Sequence, residues 1–79
     1  MAYMASTGSN WKQLEYVVLQ HGFTFDRQHG DHRAYVKDGV LRPVIIPTYD
    51  ELPTFIVKNC LNTAGISRKE CLRLLRREN

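Results

Sequence analysis

The stretch that decides the fold is FTFDRQHGDHRAYVKDG, residues 23–39. Phe23 and Phe25 alternate with polar residues, the period of a half-buried strand. His29 and Gly30 read as a turn. In the run DHRAYVK, residues 31–37, His32, Ala34 and Val36 point one way while Arg33, Tyr35 and Lys37 point the other. Asp38-Gly39 is a strong two-residue hairpin signal of type I′, which needs positive φ at both positions. A third strand then reads from VLRPVIIP, residues 40–47; Pro43 cannot donate to a ladder, so this strand is an edge, starts at Pro43 or bulges there.

Helices flank this core of strands. In SNWKQLEYVVLQHG, residues 9–22, Trp11, Leu14, Val17 and Val18 recur at helical spacing. Asn10 with Gln13 has the spacing of a capping box, and Gly22 supplies the stop. His21 falls in the last turn, where a cation favours the helix dipole. Residues 51–65 read as a second helix, with Pro53 in its first turn and a core stripe of Val57, Cys60, Leu61 and Ala64. Residues 66–79 read as a short third helix. Ser67 and Glu70 form a capping box there, Ile66 and Cys71 a hydrophobic staple, and Leu74 and Leu75 the buried face. The expected fold is α+β: helix, three antiparallel strands, helix, and an extra short C-terminal helix, with the helices on one face of the sheet. This α-β-β-β-α layout is similar to that of a double-stranded-RNA-binding domain.

Composition bounds what such a chain can do. With 79 residues it is one domain, and small domains bury only about 60% of their unfolded surface. The thin core leaves no room for a deep enclosed pocket, so chemistry is expected on a shallow surface. Eleven Lys and Arg against eight Asp and Glu give a net charge of +3. Seven of those cations are Arg, whose planar fork matches phosphate. Cys60 and Cys71 read as buried, reduced thiols. No 18-residue apolar run is present, so no membrane span is expected. The opening MAYMASTGS lacks a secretory pattern; residues 1–8 read as a flexible tail ahead of a single domain over 9–79, in a cytoplasmic protein.

Within the deciding stretch, RQHGDHRAY, residues 27–35, gathers the chemistry. The residues alone leave three readings open. It can be a solvated polar hairpin. It can offer His29, Asp31 and His32 to a metal, although adjacent strand residues face opposite ways and zinc wants three or four convergent ligands. It can transfer protons on RNA, which carries its own nucleophile in the 2′-hydroxyl. A histidine titrates near neutral pH and could take that proton. Arg27, Arg33 and Lys37 would supply charge to the phosphate, and Tyr35 would stack on a base.

The ordered set HGF (21–23), GDH (30–32), VIIP (44–47) and NTAGISRKECLRLL (62–75) resembles the HicA (YcfA-like) toxin family of type II toxin–antitoxin systems, over about residues 10–77. The resemblance implies a metal-independent, cofactor-free endoribonuclease that cuts single-stranded mRNA, arrests translation in a stress response and is neutralised by a HicB-type antitoxin. It places the catalytic histidine at His32, two after Gly30, which lets RNA approach. Asp31 stands where the family's commonest motif has Ser. A carboxylate there repels phosphate but also stabilises a neighbouring imidazolium. His29, with Asp31 and Gly30, takes a supporting part. The alternative is a non-catalytic RNA-binding module using the same cations. A protein-interaction domain with an acidic partner is a third reading.

Overall fold

The structure is a computed structural model and describes residues 10–78; the expected tail at 1–8 lies outside the described residues. Six elements follow one another: α1 (Trp11–Gln20), β1 (Thr24–His29), β2 (His32–Val36), β3 (Val44–Pro47), α2 (Thr54–Ala64) and α3 (Arg68–Glu78). The three strands form one antiparallel sheet in the order β1-β2-β3, so β2 is central. This is the α-β-β-β-α layout of a double-stranded-RNA-binding-like domain with an added C-terminal helix.

Local chemistry sets the helix ends. Asn10 accepts from the Gln13 amide while Gln13 Oε1 accepts from the Asn10 amide, so the expected capping box closes. At the other end of α1 the Phe23 amide reaches back to Val18 and the Gly22 amide to Leu19, with Gly22 at φ 92°. This 6→1 and 5→2 pair satisfies orphan carbonyls and needs the left-handed glycine. Pro53 sits at the N-cap of α2, one residue before its first helical position. At α3 only half of the expected capping box forms. Ser67 Oγ accepts from the Glu70 amide, but the Glu70 carboxylate turns instead to Arg73 and His21. Ile66 and Cys71 are both buried, as a staple requires.

The core lies on one face of the sheet. Leu14, Val17 and Val18 of α1, Cys60 and Leu61 of α2, and Cys71, Leu74 and Leu75 of α3 meet Tyr35, Val44 and Ile46. Cross-strand partners share a face, and the register pairs Tyr35 with Val44 and Arg33 with Ile46. That face therefore carries Arg33 and Tyr35 together with the helices. The opposite face carries His32, Ala34, Val36 and Ile45.

One strand reading and one turn reading change. The first strand does not run evenly from Phe23. Phe23 is buried ahead of β1 as the residue that closes α1, and every residue of β1 is exposed. A bulge at Asp26 separates the pairs Phe25–Tyr35 and Arg27–Ala34. The extra residue sends Phe25 and Arg27 to opposite faces, where strict alternation would put them together. The Asp38-Gly39 turn is not type I′: Gly39 has φ 87°, but Asp38 does not have positive φ. With the Val40 amide bonded to the Lys37 carbonyl, it has the pattern of a type II turn. It opens a longer loop, because strand pairing resumes only at Val44, past the donor-less Pro43.

Candidate functional site

The β1–β2 hairpin carries the candidate site at its tip. His29 and His32 are cross-strand partners, leaving Gly30 and Asp31 as a two-residue loop. Gly30 has φ 57° and Asp31 does not have positive φ, the pattern of a type II′ turn with glycine first. A Cβ on Gly30 would meet nothing within 4 Å. The glycine is needed for its backbone conformation, since the space around it is open.

Two carbonyls in this turn are pinned from opposite sides. Gln28 Nε2 donates to the Gly30 carbonyl at 2.9 Å. The Thr48 amide and hydroxyl both donate to the Asp31 carbonyl, at 2.7 and 3.1 Å. Asp31 lies in the turn rather than on the strand, so it does not point away from His32 as strand alternation suggests. Its Oδ1 sits 2.8 Å from His32 Nδ1, an ion-pair contact for the protonated ring. The His32 side chain is 49% exposed. With Nδ1 taken by Asp31, Nε2 is the ring atom left to exchange a proton with a bound molecule. His29 is exposed beside it. Among the described residues no group of three His, Cys, Asp or Glu converges in a way that could hold a metal ion.

The four side chains expected to meet RNA separate. Arg27 lies on the sheet face of His32, exposed, with Nη1 on the Asp26 carboxylate. Lys37 is at the other end of β2, about 17 Å away at ~3.3 Å per residue, with Nζ 5.6 Å from the Phe23 ring centroid. It does not share a patch with His32. Tyr35 cannot stack on a base: its side chain is fully buried in the core. Arg33 faces the helices, and each of its nitrogens is engaged. Nε donates to Tyr35 Oη at 2.8 Å, Nη1 to Gln28 Oε1 at 2.9 Å and Nη2 to Glu15 Oε2 at 3.2 Å. Its guanidinium carbon lies 4.1 Å from the Phe25 ring centroid and 5.2 Å from that of Trp11. Tyr35 Oη in turn donates to Glu15 Oε2. Burial, reinforced by that bond, pushes the Tyr35 hydroxyl up to about 12, so it stays a proton donor throughout the physiological range. The bond to Tyr35, with Glu15 beside it, raises Arg33 further above its already high value.

Glu15, Gln28 and Thr48 are the site's supports that sequence reasoning missed. Glu15 lies four residues after Trp11 on α1, one turn along the same face. Nothing in the sequence pattern marks Gln28, whose partners are Gly30 and Arg33, or Thr48, whose partner is Asp31. His21 also differs from its expected part. It bonds Glu70 Oε2 at 3.2 Å and ties α1 to α3, away from the hairpin. The Arg73 guanidinium, donating two bonds, holds the Glu70 carboxyl down at about 2. Cys60 and Cys71 are buried free thiols, as expected; burial pushes Cys60 up to about 11.

The candidate site is therefore an exposed histidine beside a glycine turn, at the tip of a hairpin in a small α+β domain. A family model described as the HicA toxin of bacterial toxin–antitoxin systems matches residues 11–66, from the start of α1 to just past α2. The chain belongs to the HicA toxin family. Comparison with curated proteins gives no match. No helix among the described residues is long and apolar enough to cross a membrane.

Proposed function

We propose that this toxin is an endoribonuclease that cleaves single-stranded mRNA at His32 without a metal ion, and that a HicB-type antitoxin neutralises it. The observation that carries the reading is the exposed His32 ring, with Asp31 against Nδ1, at the tip of a hairpin in a HicA-family chain. His32 Nε2 takes the proton of an RNA 2′-hydroxyl as that oxygen attacks the adjacent phosphorus. The bond from phosphorus to the 5′-oxygen breaks, leaving a 2′,3′-cyclic phosphate, and that oxygen takes up a proton from water while the imidazolium gives its proton back to solvent. Asp31 stabilises the imidazolium between the two events. Arg27 and His29, on the same sheet face, are the polar side chains available to the phosphate. Asp31 thus has a use that offsets its repulsion of phosphate, because its carboxylate is turned onto the ring.

The shallow surface fits a flexible single strand better than a small metabolite. An antitoxin that covers the His32 face would block access directly. The test is cleavage of one long unstructured RNA in EDTA by wild type and by His32→Ala, both shown folded by circular dichroism. Cutting by wild type alone is expected. Equal cutting by both, or retardation of intact RNA by both, would refute the assignment; the second result favours the binding module.

A further inference from the structure

The hydrogen bonds of Gln28 point to a role that its position in β1 does not announce. Arg33 carries donors only, so the Gln28 atom facing its Nη1 must be the carbonyl oxygen. The Gly30 carbonyl only accepts, so the atom facing it must be the amide nitrogen. Both ends of one carboxamide are therefore fixed by chemistry. Beyond Arg33 the chain of bonds continues to Glu15 on α1, directly and through Tyr35 Oη. A rigid helix is thereby connected, through Arg33 and Gln28, to the turn residue two positions before His32.

We infer that Gln28 is a positioning residue for His32. It holds the Gly30–Asp31 turn so that the Asp31 carboxylate stays on His32 Nδ1, with Arg33 and Glu15 as its anchor to α1. The inference deepens the ribonuclease reading and rests on it for its kinetic consequence, though not for its structural one. Thr48 pins the Asp31 carbonyl from the β3 side. Without Gln28 the turn is held from that side only, and the ring and its carboxylate can part. A misplacement of the order of an ångström at a reacting group can reduce rates by about 10²-fold. Gln28 touches the turn and not the reacting atoms, so a smaller loss is expected.

Two variants isolate the role. Gln28→Met keeps length and neutrality and loses both bonds. Gln28→Glu keeps an acceptor for Arg33 and cannot donate to Gly30. Both are expected to lower kcat by about tenfold with KM changed less than about twofold, on a labelled oligoribonucleotide that wild type cuts. The structural readout is the tautomer of the neutral His32 ring, read from its ring ¹⁵N shifts by NMR. In wild type the Asp31 carboxylate, 2.8 Å from Nδ1, holds the ring proton there. In either variant the ring moves towards the Nε2-protonated form. A rise in KM with kcat unchanged would make Gln28 a substrate contact and overturn the inference, as would an unaltered tautomer. If wild-type protein cuts no RNA, the ribonuclease reading fails, and the NMR result alone decides whether Gln28 positions the ring.

Discussion

The central strand β2 is entered through a glycine–aspartate pair and left through an aspartate–glycine pair, and the two turns have little else in common. At Gly30-Asp31 the glycine comes first, the strands pair immediately at His29 and His32, and both turn carbonyls accept side-chain or backbone donors. At Asp38-Gly39 the glycine comes second, one backbone bond closes the turn, and the chain runs on through a fully exposed Leu41 before β3 begins. The order of two residues decides where the carboxylate goes. In the first turn it lies against a histidine at the start of β2. In the second the aspartate sits before the glycine, in a loop that packs Val40 against the core and places no histidine beside the carboxylate. A turn held from two sides can fix a reacting group; a turn held by one bond only joins strands.

The largest effect expected from breaking this contrast is at His32. His32→Ala should reduce RNA cleavage by about 10²–10⁴-fold, the usual worth of a positioned acid–base group, with the circular dichroism spectrum unchanged. A matched pair of glycine substitutions comes next. Gly30→Ala and Gly39→Ala each force a side chain into left-handed backbone, at φ 57° and 87°, and urea unfolding should show each losing roughly 1–2 kcal/mol. Cleavage rates should separate them: Gly30→Ala loses activity beyond its share of unfolded protein, and Gly39→Ala does not. Equal losses of activity would break the comparison. Thr48→Val keeps the amide bond to the Asp31 carbonyl and removes the hydroxyl bond. It should cost about 1 kcal/mol or less in the same unfolding measurement.

A pH titration of stability sharpens the comparison by locating acid sensitivity elsewhere. Glu70 is held down near 2 by Arg73, whereas its ordinary value is 4.5. Its contribution is complete above pH 4.5. As the pH falls from there towards 2, the unfolded chain takes up the proton first, and the contribution is lost. Glu70→Gln should flatten that part of the curve, read as denaturant midpoints at pH 6 and pH 3.

Much of this molecule could be read along the chain wherever the governing contacts are local. Asn10 and Gln13, three apart, announced their capping box. Gly22 and Gly65 announced the ends of α1 and α2. The stripe through Cys60 and Leu61 is buried, and the order of helices and strands is as expected. The glycine turn at Gly30 was legible for the same reason, and the placement of His32 follows from it. What could not be read depends on residues distant in sequence. Tyr35 carries a hydroxyl and looks like a surface aromatic. It can be buried because Glu15, 20 residues earlier, accepts a hydrogen bond from its hydroxyl. Arg33 looks like a free cation until Gln28, Tyr35 and Glu15 are brought around it. The bulge at Asp26 defeats a period-two reading, since one extra residue reverses the faces of all that precede it.

That bulge has a consequence for solubility. β1 is an edge strand with every residue exposed, and an exposed edge is a template on which a second chain can add a strand. At Asp26 the regular pairing pattern is interrupted, and the charged pair Asp26–Arg27 stands at the interruption. A strand approaching in regular register meets a kink and two charges before it has formed a full ladder. The same extra residue that puts Phe25 and Arg27 on opposite faces therefore also guards the edge of the sheet against uncontrolled self-association.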